Sequence, residues 1–94
     1  MRSVLQHYKE CWLCGTTYNL HEHHVFYGSA NRKKSTKFGM TVWLCARHHN
    51  MSNEGVHFNK PLDRKLKAYA QEYFENHIGT RLDFIKEFGR NYID

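Results

Sequence analysis

The sequence predicts an α+β domain with a β-rich first half and a helical C-terminal extension, and three observations predict it. Residues 16–26 and 40–44 are rich in Thr, Tyr, Val, Trp and Phe, which suit strands. From Leu62 onward apolar residues recur at three- and four-residue steps instead, the period of a helix packed on one face. All three cysteines fall in two short half-sites, Cys11-Trp12-Leu13-Cys14 and Cys45-Ala46-Arg47-His48. Two such pairs close a tetrahedral shell, so Cys11, Cys14, Cys45 and His48 are expected to form a Cys3His structural zinc knuckle.

Each element follows in order. Residues 1–10 carry little pattern, and Val4, Leu5 and Tyr8 form a short turn or cover the core. The knuckle spans residues 11–15, where Gly15 supplies the positive φ such turns often need. Residues 16–26 read as a strand or hairpin. Residues 28–39 are polar and hold Arg32, Lys33, Lys34 and Lys37, so a basic loop is expected there. A second strand over 40–44 leads into Cys45, and residues 46–53 form a short helix bearing His48 and His49. Pro61 suits the first position of the next helix. Leu62, Leu66, Tyr69, Tyr73, Phe74 and Ile78 mark its apolar stripe, and Gly79 ends it. Thr80-Arg81-Leu82-Asp83 resembles a capping box that opens a last helix. Leu82, Ile85 and Phe88 are expected on its inner face, with Gly89 as its stop.

At 94 residues the chain is expected to be a single domain over 1–94, with a zinc-stapled core at 11–57 and the helical extension at 60–94. A core this small benefits from a metal, whose binding contributes directly to folding. Fourteen Lys and Arg against nine Asp and Glu leave a formal charge of +5, which favours an anionic partner, nucleic acid being the commonest. Apolar runs are too short for a membrane span or a signal-peptide core. Three cysteines at metal spacing argue against a secreted disulfide scaffold and for a reducing cytoplasm. Internal repeats, low-complexity tracts and Pro/Gly/Ser linkers are absent from the sequence.

The knuckle leaves histidines over. His21-Glu22-His23-His24 precedes the basic stretch, and His49 directly follows the last knuckle ligand. Surplus ligands beside a closed metal site point to a second, catalytic one. A strand ending in His-His, a polar stretch, a second strand and a histidine-bearing helix, stapled in this way, resembles the HNH endonucleases of the ββα-metal class. The resemblance covers roughly residues 11–57 and is closest to small HNH proteins of phage and prophage genomes. It implies metal-dependent hydrolysis of DNA phosphodiester bonds, by nicking or double-strand cleavage, in a bacterial host cell. It also implies His23 as a ligand of the catalytic ion, His24 as general base and His49 as a second ligand.

The chemistry stands beside the resemblance. Hydrolysis needs a water made nucleophilic, and histidine is best suited to take its proton near neutrality. It also needs a divalent ion on the scissile phosphate. Neighbouring strand residues point to opposite faces, so the His23–His24 pair can serve one site only where the strand ends or bends. Two positions depart from the family's pattern. Its middle Asn is Met40, and the usual Asp at the metal position is His23. A nitrogen-rich set suits manganese, nickel, cobalt or zinc better than magnesium. His57 is a candidate third ligand or phosphate contact, with Asn50 and Asn53 as supporting donors. His21 shares a strand face with His23 and is assigned to packing or a phosphate contact. His7 and His77 belong to no motif and read as surface residues. Arg32, Lys33, Lys34 and Lys37 read as a clamp on the DNA backbone. The other reading is a non-catalytic zinc module for nucleic acid or a protein partner, docking through its helical tail.

Overall fold

The computed structural model describes residues 3–51 and 59–93. Strand β1 (Leu20–His24) pairs antiparallel with β2 (Thr41–Cys45), so that His23 faces Val42 and His24 faces Thr41 across the ladder. Between the strands lies helix α1 (Ser29–Phe38), and a π-helical turn (Arg47–Met51) follows β2. Helices α2 (Lys60–His77) and α3 (Arg81–Phe88) complete an α+β fold with a two-stranded sheet.

Helix α1 replaces the basic loop expected over 28–39. Ser29–Phe38 has no apolar stripe because its inner face is anchored by a polar residue. The fully buried Ser35 hydroxyl donates to the Phe26 carbonyl at 2.7 Å and accepts the Phe26 N–H at 3.0 Å. Ala, Arg and Lys are good helix formers and need no such stripe to hold the turns. Gly39 ends the helix at φ +71°, where its N–H reaches the Ser35 and Thr36 carbonyls.

The N-terminal segment runs along β2. Val4 N–H donates to Gly39, Ser3 Oγ to the Thr41 carbonyl, and Trp43 N–H to Gln6 Oε1. Leu5 enters the core, whereas Tyr8 stands in solvent.

Asn59 caps α2 by accepting the Leu62 N–H, and the helix starts at Lys60, one residue before Pro61. Its buried face is Leu66, Ala70, Gln71 and Phe74; Tyr69 and Ile78 are largely exposed. The buried Gln71 is satisfied, since its amide donates to Asn91 and Glu75 and accepts the Tyr92 N–H. The capping box at Thr80 and Asp83 forms as expected. The inner face of α3 differs: Phe84 and Phe88 are buried, Ile85 is half-buried, and Leu82 is 77% exposed. In a two-turn helix, stripes through 82-85-88 and 84-88 both satisfy helical spacing. The larger apolar area of Phe84 decides which turns inward.

One buried cluster joins Cys11, Val25, Phe26, Met40, Val42, Leu44 and Cys45 to Leu66, Phe74, Phe84 and Phe88. Residues 11–57 and 60–94 therefore share a core where they are described. Among the described residues, no helix is long and apolar enough to cross a membrane.

Candidate metal centre and histidine cleft

The knuckle is built by the turn after Cys11. Gly15 N–H donates to the Cys11 carbonyl at 2.8 Å, Gly15 takes φ +77°, and Cys11 N–H returns to the Thr16 carbonyl at 2.8 Å. Trp12 N–H donates to the Trp43 carbonyl, fastening this turn to β2, which ends on Cys45. The π-helical turn then presents His48. Ligand atoms of Cys11, Cys14, Cys45 and His48 all lie within 4.8 Å of one another.

Those separations fit one tetrahedral ion. Zinc bonds of about 2.3 Å to sulfur and 2.0–2.1 Å to nitrogen imply edges of about 3.8 Å between sulfurs and about 3.6 Å between sulfur and nitrogen. Cys14 Sγ lies 3.8 Å from Cys45 Sγ, and His48 Nδ1 lies 3.2 Å from Cys45 Sγ and 3.7 Å from Cys11 Sγ. The thiols are also poised unequally. Desolvation pushes Cys11 up, but the N–H groups of Cys45, Cys14 and Leu13 and the His48 ring outweigh it and lower this thiol to about 6. At Cys14 the Thr16 N–H pulls downward, while desolvation and the sulfurs of Cys11 and Cys45 prevail and raise it. Crowded sulfurs resist simultaneous ionisation, and a divalent cation removes that conflict.

The surplus histidines gather around a second feature, a cleft of about 160 Å³ lined by Glu22, His23, His24, Tyr27, Arg32 and His49. Pockets for drug-sized ligands run to about 300–1,000 Å³, so this cleft has room only for a small group with an ion or water. His23 and His24 leave β1 on opposite faces, yet both line it because the strand ends at His24. His23 is 2% exposed, and His24 and His49 are half-buried. The His49 ring meets both His21 and His23 edge-on, with centroids 5.2 Å apart in each case.

The electrostatics divide the roles. Burial and the Arg32 charge hold the His24 imidazole below its ordinary range, against the opposing pull of Glu22. His24 is thus neutral at pH 7 and able to accept a proton. Its Nε2 lies 3.1 Å from Thr36 Oγ1. Tyr27 donates to Asp63 Oδ2 at 3.1 Å, while Lys67 pairs with the same oxygen at 2.8 Å and lies over the Tyr27 ring. Burial and the Asp63 carboxylate push the Tyr27 phenol up to about 12, so Tyr27 is a wall of the cleft and not a base.

The basic residues part company. Arg32 lines the cleft, and Lys33 and Lys37 are exposed on α1. Lys34 turns to α3, donating to the Glu87 carbonyl and pairing with its carboxylate at 3.9 Å. His57 and Asn53 lie outside the described residues, as does the side chain of Asn50. Sequence reasoning missed Tyr27, Thr36 and Glu22. Tyr27 and Thr36 enter through a turn and a helix that the expected loop concealed, and neither carries a metal-ligand or nucleophile signature. Met40 is fully buried in the core, and α1 is tied to His24 at the end of β1 through Thr36 and to Phe26 just beyond it through Ser35. No protein-family model, curated protein or solved structure matches the chain.

Proposed function

We propose that this protein is a metal-dependent endonuclease of the HNH type, hydrolysing DNA phosphodiester bonds on a zinc-stapled ββα-metal core. The observation that carries the reading is convergence: His23 and His24 from β1, Arg32 from α1 and His49 from the π-helical turn line one small cleft. His24 takes the proton of the attacking water as general base. Arg32 faces the phosphate and offsets its charge. His23 and His49 would hold a divalent ion, whose bound charge would neutralise the phosphate and help the 3′-oxygen leave. Their nitrogen donors suit manganese, nickel, cobalt or zinc before magnesium. Lys33 and Lys37 contact the DNA backbone outside the cleft, without reading sequence.

The test is cleavage of supercoiled plasmid by zinc-loaded protein supplied with each metal, wild type against His24→Ala. Nicking by wild type and a loss of about a hundred- to ten-thousand-fold in the variant is the expected outcome. Intact plasmid with every metal would replace the nuclease with a zinc module for nucleic acid or a protein partner.

A further inference from the structure

The sequence assigns His21 to packing or a phosphate contact, but its surroundings are those of a ligand. His21 Nδ1 lies 3.1 Å from His49 Nδ1. In a tetrahedral site with metal–nitrogen bonds of about 2.0–2.1 Å, two ligating nitrogens stand about 3.3 Å apart. His21 is exposed at the end of the strand face it shares with His23, and His49 is half-buried between them. We propose that His21 is a ligand of a second divalent cation, gripped between its Nδ1 and that of His49 beside the cleft.

This rests on the nuclease reading and deepens it by giving its ion His21 as the partner of His49, where that reading placed His23, and the binding it describes is measurable without cleavage. Among the described residues, only the Cys3His group brings three or more ligand atoms within 4.8 Å of one another. The His21–His49 pair is therefore an open site. Two protein nitrogens leave positions for water and a phosphate oxygen, as a site that handles substrate requires. A hydrogen bond between the two rings also brings nitrogens this close, and metal binding separates the two cases.

The experiment is calorimetric titration of manganese or nickel into zinc-loaded protein, comparing wild type with His21→Ala and His49→Ala. His21 is exposed, so its replacement leaves the core intact, which retained zinc and circular dichroism verify. The expected result is one exchangeable ion per wild-type chain and at least tenfold weaker binding in both His21→Ala and His49→Ala. Should His21→Ala misfold, one further equivalent of diamagnetic zinc should shift the Nδ1 nitrogen-15 signals of His21 and His49 of wild type together. Wild type that takes up no second ion overturns the proposal. So does undiminished affinity in His21→Ala, or a His21 Nδ1 signal unmoved while that of His49 shifts. Binding that follows the proposal with plasmid left intact would keep the site and discard only the nuclease.

Discussion

Thr36 Oγ1 donates to the Arg32 carbonyl one helical turn back, at 3.3 Å, and stands 3.1 Å from Nε2 of His24. A hydroxyl has one proton, so with it given to Arg32 the oxygen accepts from His24 Nε2–H. The lone pair of His24 then resides on Nδ1. Thr36→Val should keep the fold and lower plasmid cleavage on the order of ten- to a hundredfold, as lost orientation of a histidine commonly does. Thr36→Ser should restore it. Nitrogen-15 shifts of the His24 ring check the cause. The Nε2–H form should predominate in wild type and in the Thr36→Ser variant, and lose that bias in Thr36→Val.

Cys11 and Cys45 belong at once to the group that could hold the knuckle's ion and to the buried core. Cys45→Ser should therefore lose its zinc and its cooperative melting transition together, because three ligands hold a structural ion poorly. A strong chelator should do the same to wild type. Metal content per chain and thermal melts followed by circular dichroism report both.

On α3, Phe84 is fully buried against Phe26, Phe74 and Phe88, with ring centroids 4.9–5.4 Å away. Phe84→Ala should cost about 3–5 kcal/mol of stability. Leu82→Ala, at an exposed position, should change it by less than about 0.5 kcal/mol. Urea unfolding of the two variants measures the contrast directly.

The four basic residues of α1 should separate in a salt titration. Replacing Arg32, Lys33 or Lys37 by Ala should each reduce the slope of log affinity for DNA against log salt by about 0.9. Lys34→Ala should leave that slope alone and lower stability instead, because its ammonium is engaged with Glu87.

Tyr27 gives a pH signature. Its folded pKa, about 12, lies above the ordinary tyrosine value, so its contribution to stability is complete below about pH 10 and is lost as pH rises through 12. In an absorbance titration of phenolate formation, one tyrosine should ionise after the others, and Tyr27→Phe should remove that last step. A variant that retains the late step would place it on another tyrosine.

What the sequence disclosed depended on how local each signal was. The knuckle spacing, the β-prone runs and the Thr80–Asp83 cap are short-range patterns; the knuckle and cap residues meet as their spacing implies, whereas only Leu20–His24 of the run over 16–26 forms strand. Helix α1 was hidden because Ser35, not an apolar residue, turns inward, so its burial depends on Phe26 from another segment. Leu82 was misplaced because a helix of two turns offers too few residues to fix one face. His21 could be set on the right strand face, but its nearness to His49 required the fold of β2 and the turn beyond it.

That turn gives two adjacent residues to different neighbours: the His48 ring reaches the knuckle sulfurs, and the His49 ring reaches the histidines of β1. The distance along the chain from Cys45 to His49 is thus under a double constraint. Ala46, Arg47 and His48 lie between them. Their number is fixed, because one residue more or fewer would rotate His49 away from β1 while the knuckle still claimed His48 or its substitute. Evolution and protein engineering should therefore find this stretch intolerant of any change in length.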